Sequence, residues 1–359
     1  MQVSMTRPIA ALLFALTACS AASTTGQSSS GDPGVMPPDG TSSGDPGSMT
    51  SGGMPMVDGG PIPTGPDTIS VIVEPQDKAQ ALLTAIQGAK TSVHMTMYLL
   101  DDKRFIDALI AQHVAGRDVK VILNHVFPGG AGTNTSAYNQ LMAAGVAVVW
   151  SPTTFSLTHE KCVVIDGAQA WIMTMNLEVS SPTNREFLAV DSQAPDVAEA
   201  EAIFAADFAN KAIVPTGNLL VAPVNARDRL LALVQGAKKT VDLEGEELSD
   251  YKIVNALVAA RKAGVVVRVV LASGTPSSSQ ATAVQQLKAG NVKVVSLASP
   301  YVHAKGIVAD GASAYVGSEN FTTGSLQYNR ELGVITTNAA SVAEVAKTIA
   351  QDFSAGSPL

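Results

Sequence analysis

The chain has 359 residues, 46% of them hydrophobic and 15% charged, which gives apolar surface for one large core or two medium ones and excludes disorder throughout. Its net charge of −8 excludes an overall field that would draw it to nucleic acid or anionic membranes. Part of the imbalance is local: Asp32, Asp39, Asp45 and Asp58 lie in an N-terminal stretch without Lys or Arg.

Residues 1–19 read as an export signal. Arg7 supplies the positive end, and Ile9 to Leu16 form an apolar run too short to span a bilayer permanently. Leu16-Thr17-Ala18-Cys19 resembles the lipobox of bacterial lipoproteins, which implies that Cys19 carries diacylglycerol and becomes the mature N-terminus. Ser20 after it implies the outer membrane. Residues 20–66 are dominated by Ser, Gly, Thr, Pro and Met, with echoes such as Ser30-Gly31-Asp32-Pro33-Gly34 and Ser43-Gly44-Asp45-Pro46-Gly47. Such a segment buries too little apolar surface to offset chain entropy and is expected to be a flexible tether. The other cysteine, Cys162, sits in an apolar run and reads as a small buried hydrophobe, so no intramolecular disulfide is expected.

From Ser70 the chain alternates strand-like and helical segments. Ser70 to Glu74 predicts a strand, Asp77 to Ala89 a helix with Leu82, Leu83 and Ile86 on one face, and Ser92 to Leu99 a strand. A helix around Phe105 to Ala115 and a strand at Val119 to Leu123 follow, a rhythm that predicts a mostly parallel, helix-covered sheet. The rhythm then restarts. Gln87-Gly88-Ala89-Lys90 recurs as Gln235-Gly236-Ala237-Lys238, and Gly116, Val119 and Leu123 recur as Gly264, Val267 and Leu271, all displaced by 148 residues. The expected fold class is therefore α/β, a duplicated sandwich with domains at 67–215 and 216–359, related by pseudo-twofold symmetry.

Each repeat carries the same polar signature. His159-Glu160-Lys161 leads to Asp166, Asn176 and Asn184-Arg185-Glu186; His303-Ala304-Lys305 leads to Asp310, Gly317-Ser318-Glu319-Asn320 and Asn329-Arg330-Glu331. Two of five histidines at equivalent places in two repeats are not chance. Period-two alternation along a strand aligns His159 with Lys161 and His303 with Lys305. Across a pseudo-twofold axis, two imidazoles and two ammonium groups converge, and a phosphate between them relieves their mutual repulsion. A neutral imidazole can attack phosphorus while the other, protonated, donates to the departing oxygen.

With these motifs the chain resembles the phospholipase D superfamily, whose signature is HxKx4D followed by GSxN, twice in an active unit. The resemblance covers nearly everything from about residue 70 onward and implies one active site between two α/β sandwich repeats. It implies a metal-independent phosphodiesterase without cofactor, working through a phosphohistidine, with His159 as nucleophile and His303 as general acid and base. It further implies that Glu331 contacts His159 and Glu186 contacts His303 across the interface. Lys161, Lys305, Asn176 and Asn320 are expected to hold phosphate oxygens, with Thr174 and Ser318 as further phosphate-binding hydroxyls. In the first repeat Met173-Thr174 replaces Gly-Ser, which alters how closely the backbone is expected to approach phosphate. Asp166 and Asp310 begin Asp-Gly turns and are assigned a structural role.

The remaining polar residues divide differently. His94, His113 and His125 have no histidine counterpart in the other repeat; His113 is placed on a helix face, and His125 at a strand end within reach of substrate. Asp242, Glu244 and Glu246 alternate onto one face, either solvated or a wall for a lipid headgroup. Trp150 and Trp171 fit core or substrate contact equally. No Cys pair and no further His/Asp cluster at ligand spacing suggests a metal site. The favoured function is hydrolysis of glycerophospholipids to phosphatidic acid and alcohol, with headgroup exchange as an extension, by a monomeric enzyme anchored to its membrane. A nuclease is disfavoured by the acidic balance, and cardiolipin-synthase-like transfer by the lack of membrane helices after the signal. Replacing Cys19 by Ser is expected to leave a soluble, active enzyme; sedimentation of that variant with salt-washed membranes would contradict the anchor.

Overall fold

The computed structural model describes residues 67–125, 127 and 133–359; the export signal, Cys19 and the tether lie outside them. The first repeat contains β1 (Ser70–Glu74), α1 (Gln80–Gly88), β2 (Ser92–Met97), α2 (Lys103–Val114), β3 (Asp118–Leu123), α3 (Thr135–Ala143), β4 (Ala147–Trp150), β5 (Lys161–Ile165), β6 (Gln169–Met173), β7 (Glu186–Asp191) and α4 (Ala194–Phe208). The second contains β8 (Leu220–Ala222), α5 (Ala226–Gly236), β9 (Thr240–Gly245), α6 (Tyr251–Lys262), β10 (Val266–Ala272), α7 (Ser278–Ala289), β11 (Lys293–Leu297), β12 (Lys305–Ala309), β13 (Ser313–Gly317), α8 (Thr323–Tyr328), β14 (Glu331–Thr336), α9 (Ala339–Ala355) and β15 (Ser357–Pro358). Helices α2 and α6 start at equivalent aspartates, Asp102 and Asp250, whose carboxylates accept from first-turn N–H groups.

The two sheets run β1-β7-β6-β5-β2-β3-β4 and β8-β14-β13-β12-β9-β10-β11-β15, the same order with β15 added at one edge. They are not mostly parallel. Among the described strands, parallel pairing joins β2-β3-β4 and β9-β10-β11, and the other strand pairings are antiparallel. One antiparallel pairing in each half comes from an Asp-Gly dipeptide. Asp166 and Gly167, at φ 57° and 59°, make a tight turn that folds β6 back on β5, and Asp310 and Gly311, at 55° and 61°, do the same for β13 and β12. Each aspartate also gathers the strand entry of its own half. Asp166 accepts from the amides of Lys90, Thr91 and Ser92, and Asp310 from those of Lys238, Lys239 and Thr240. The assigned structural role is thus visible, and the recurring Gln-Gly-Ala-Lys lies where that clamp closes.

Three apolar layers hold the molecule. One lies under α1–α3, one under α5–α7, and the third joins the inner faces of both sheets with α4 and α9. In the third layer Cys162 is buried and its thiol is pushed well up by that burial. Phe187 of β7 lies against Gly306 of β12, where a Cβ would meet its ring at 3.0 Å. The start of the described chain is tied to the far half as well: β1 pairs with β7, while the Asp67 carboxylate accepts from Thr336 Oγ1 at 2.7 Å and Thr337 N at 2.6 Å.

Charge crosses the same interface. Arg185 of the first repeat pairs with Asp352 of α9 at 2.5 and 3.0 Å, and Arg330 of the second pairs with Asp207 of α4 at 2.8 and 3.1 Å. All four side chains are buried. Removing one member strands its partner's charge, so Asp207→Ala is expected to destabilise the fold by about 3–5 kcal/mol. Urea unfolding measures this; a loss below about 1 kcal/mol would mean that the pair is solvated.

Candidate active site

The Asn-Arg-Glu segment of each repeat is hydrogen-bonded to the histidine segment of the other. His159 N and Glu160 N donate to Arg330 O at 2.9 and 3.0 Å, and Arg330 N donates to Leu157 O at 2.9 Å. In the mirror arrangement His303 N donates to Arg185 O at 3.2 Å, and Arg185 N to Tyr301 O at 2.8 Å. The residue after each arginine is thereby delivered to an imidazole. Glu331 stands 2.9 Å from His159 Nδ1 and Glu186 stands 2.7 Å from His303 Nδ1, the crossed contacts expected from the sequence.

Each carboxylate is held from behind. Glu331 accepts from Ser325 Oγ at 2.7 Å and Asn329 Nδ2 at 3.1 Å; Glu186 accepts from Thr174 Oγ1 at 2.5 Å. Burial raises the Glu331 carboxyl, but His159, Lys161 and Ser325 outweigh it and keep the group below its usual range. Burial also lowers His159 to about 4, more than Glu331 raises it. The consistent state is an ionised Glu331 accepting Nδ1–H from a neutral imidazole, whose Nε2 is then a lone pair.

Both lysines are fully buried beside the histidines. Lys161 Nζ donates to His159 O at 2.6 Å and lies 4.8 Å from the centre of the Tyr98 ring; burial lowers it to about 7. Lys305 Nζ donates to His303 O at 2.5 Å and to Glu246 Oε2 at 3.0 Å. The two environments differ at one equivalent position, displaced by the same 148 residues: Tyr98 in the first repeat, Glu246 in the second. The Tyr98 ring meets His159 edge-on at 4.5 Å, whereas Glu246 Oε2 stands 3.5 Å from His303 Nε2.

Both histidines face one cavity of about 630 Å³, with Asn176, Asn320, Glu246 and Tyr301 in its wall. Asn176 and Asn320 each present an amide oxygen without a partner among the described residues. A side pocket of about 120 Å³ shares Glu246, Glu247 and Tyr301 with it. The predicted hydroxyls do not reach this cavity. Thr174 is spent on Glu186, and Ser318 bonds the Leu332 backbone, so both are supports for the glutamate strands and not phosphate ligands.

The Met173-Thr174 departure also has a packing cause. Gly317 and Gly333 face each other across β13 and β14 because the buried pair of Tyr315 OH with Glu319, 2.6 Å apart, fills the space that Cβ atoms would need. In the first repeat Met173 and Leu188 face each other instead, with Trp171 and Met175 at the places of Tyr315 and Glu319. The glycine thus answers to a buried carboxyl, which burial raises to about 8, and not to phosphate.

The other polar residues lie elsewhere. His94 bonds Glu201 at 2.5 Å and stacks on Phe204; His125 stacks on Trp150, which stacks on Tyr138; Trp171 is core. Asp242 pairs with Arg268, and Glu244 is buried with its carboxyl raised well up, first by burial and then by Asp352. Neither is solvated, and of the three alternating acids Glu246 alone lines the cavity. Among the described residues no group of three or more His, Cys, Asp or Glu stands together to hold a metal ion, and no helix is long and apolar enough to cross a membrane. Sequence reasoning missed the specific place of Glu246 and the crossed Arg–Asp pairs. The equal spacing of 22 residues from Arg185 to Asp207 and from Arg330 to Asp352 was the available signal.

The family model described as "Cardiolipin synthase, PLD-like domain" matches residues 82–208 and 230–355. Phospholipase D Z of Dictyostelium discoideum is 32% identical over 151 residues, covering 36% of this chain and 35% of that protein. Cardiolipin synthase 2 of Bacillus anthracis is 23% identical over 332 residues, covering 76% and 61%. The chain thus spans less than two thirds of the length of either relative. Among solved structures, phosphatidylserine synthase of Haemophilus influenzae superposes with a TM-score of 0.64 at 12% identity, over 81% of this chain and 87% of that one. Polyphosphate kinase of Porphyromonas gingivalis gives 0.62 at 17% identity, over 79% and 46%. Both show the fold.

The support of Glu186 is open to a direct check. Thr174→Val removes its hydroxyl donor and is expected to cost about 1–3 kcal/mol of stability, while Thr174→Ser restores most of it. Equal losses in thermal or urea unfolding would mean that the methyl group, not the hydroxyl, matters.

Proposed function

The chain belongs to the PLD-like domain family, and from its site we propose a phospholipase D-type phosphodiesterase that hydrolyses glycerophospholipids to phosphatidic acid and free alcohol. The observation that carries this reading is the pair of imidazoles facing one cavity, each with a carboxylate of the opposite half on Nδ1. His159 Nε2 attacks phosphorus and the bond to the headgroup oxygen breaks. The departing oxygen takes the proton of His303 Nε2. Water, losing a proton to His303, then attacks phosphorus, the P–N bond to His159 breaks, and phosphatidic acid leaves with His303 again protonated. In this reading the amides of Asn176 and Asn320 receive the non-bridging oxygens, with Lys161 and Lys305 behind them as stabilising charge. An alcohol entering in place of water gives headgroup exchange by the same steps.

The cavity wall favours a compact substrate over a polyanion. No Lys or Arg stands among the described residues that line it, while Glu178, Glu246 and Glu247 do. A nucleic acid strand needs cations along its track and repeated aromatic stacking. The side pocket beyond Glu246 and Tyr301 would take a small headgroup. The anchor expected at Cys19 would hold such an enzyme beside its substrate, at the outer membrane.

An assay in EDTA with phosphatidylcholine, phosphatidylglycerol and single-stranded DNA tests the proposal, with and without an acceptor alcohol. Phosphatidic acid is expected from lipid, and His159→Ala and His303→Ala should each lower turnover by roughly 100-fold or more. DNA cleavage without lipid turnover would overturn it. Since attack requires the unprotonated His159, and burial lowers that group to about 4, the acid limb of kcat/KM is expected well below the ordinary imidazole range. An acid limb near pH 6.5, the ordinary imidazole value, would contradict a buried neutral nucleophile.

A further inference from the structure

The duplication builds a nearly symmetric site, yet the proposed reaction needs two unlike histidines. Each has a lysine two residues on and a glutamate of the opposite half on Nδ1. The backbone contacts that place them are mirrored too. The difference in charge at the reacting edges is the exchange of Tyr98 for Glu246. On the first side, the His159 ring is met edge-on by a neutral phenol, raised to about 12 by burial and by Glu331 and Glu246. On the second side, Glu246 Oε2 lies 3.5 Å from His303 Nε2 and 3.0 Å from Lys305 Nζ, and its Oε1 accepts from Tyr301 OH at 3.2 Å.

We propose that Glu246 is the positioning residue that assigns the two roles, dedicating His303 to proton donation and leaving His159 to attack. The inference rests on the phosphodiesterase reading of the same cavity. A carboxylate stands at each ring nitrogen of His303, Glu186 at Nδ1 and Glu246 near Nε2, and Glu246 can hold an Nε2 proton on the side where a leaving oxygen would stand. His159 has a carboxylate at Nδ1 alone, and burial outweighs it, so its uncharged form is the favoured one. Glu246 stays ionised, because Lys305, His303 and His159 outweigh the burial that opposes its charge. The groups bearing on His303 are Glu186 from β7, Glu246 and Glu247 after β9, Lys305 from β12, and Tyr301. Across the cavity stand His159, Lys161 and Tyr98. Glu246, Glu247 and Tyr301 have no like residue at the equivalent places of the first repeat, Tyr98, Leu99 and Leu157, and of the three Glu246 is the one whose carboxylate stands at the reacting edge of a histidine.

A pH profile by itself does not isolate this effect, since burial lowers Lys161 to about 7 and Glu246 acts on it as well. The leaving group does. Lys161 and Lys305 serve the non-bridging oxygens of any phosphodiester equally, whereas proton donation matters for an alkyl alcohol and hardly at all for p-nitrophenolate. In Glu246→Gln, kcat/KM for a phosphatidyl ester of an alkyl alcohol is expected to fall roughly tenfold or more, while a p-nitrophenyl phosphodiester changes by less than about threefold. Glu246→Asp should recover part of the difference. Equal losses on both substrates would overturn the proposal and make Glu246 a structural support of Lys305. Gains on both would overturn it too, making the carboxylate an occupant of the phosphate site. In Glu246→Tyr, which copies the first repeat, the covalent phosphoryl label trapped by an alkaline denaturing quench should divide between His159 and His303; label confined to His159 would refute the assignment. Absence of turnover and label in the unaltered enzyme would sink the phosphodiesterase reading itself, an outcome separate from all of these.

Discussion

Burying an unpaired arginine or carboxylate costs several kcal/mol, and each half of this molecule buries an arginine and a glutamate at its inner edge. Neither half supplies the main partners for its own. Arg185 is neutralised by Asp352 and Arg330 by Asp207, while Glu186 and Glu331 find their imidazoles across the same axis. This exchange of charge constrains the rest. It sets the inner faces of the sheets against one another, fixes the backbone pairing of the Asn-Arg-Glu segments, and leaves the cavity as the gap in which the two histidine edges meet. Apolar burial supplies adhesion in the shared layer, where fully burying a Val, Leu or Phe contributes about 1.5–3 kcal/mol. It does not choose the register. The crossed charges do, because a slip would strand several of them at once.

The symmetry is also where function has to depart from folding. Two identical half-sites fold well but make two identical histidines. The repeats differ where the structure tolerates it. Met173 and Leu188 fill volume that Gly317 and Gly333 yield to Tyr315 and Glu319, and Tyr98 faces Glu246 across the cavity. The first exchange conserves packing and leaves the strand pairing intact. The second changes charge at the reacting edge.

Much of this was legible from residues alone, for particular reasons. The 148-residue displacement exposed the duplication because glycines and core positions are held by geometry and so survive together. The histidines, lysines and glutamates stood out because they recur in fixed contexts. The βαβ rhythm of residues 70–123 predicts parallel strands, yet Asp166-Gly167 and Asp310-Gly311 announce one antiparallel hairpin in each half, β5–β6 and β12–β13. The hydroxyls of Thr174 and Ser318 were misplaced because spacing along a motif says nothing of which side of a strand end a short side chain faces. Glu246 was grouped with Asp242 and Glu244 by alternation, yet Asp242 pairs with Arg268 and Glu244 is buried, while Glu246 lies just past the last residue of β9, where the wall of the cavity begins.

The Asp67 clamp bears on how the folded body carries mechanical load. Strand β1 is stitched to β7 in the first half, while the Asp67 carboxylate just before it is bonded to Thr336 and Thr337 in the second. A pull applied at residue 67 is therefore shared between both halves from its first ångström, and does not begin by peeling an edge strand from one sheet. Tension entering there presses on the junction that also aligns the two histidines, so the grip at Asp67 and the alignment of the site are parts of one load path.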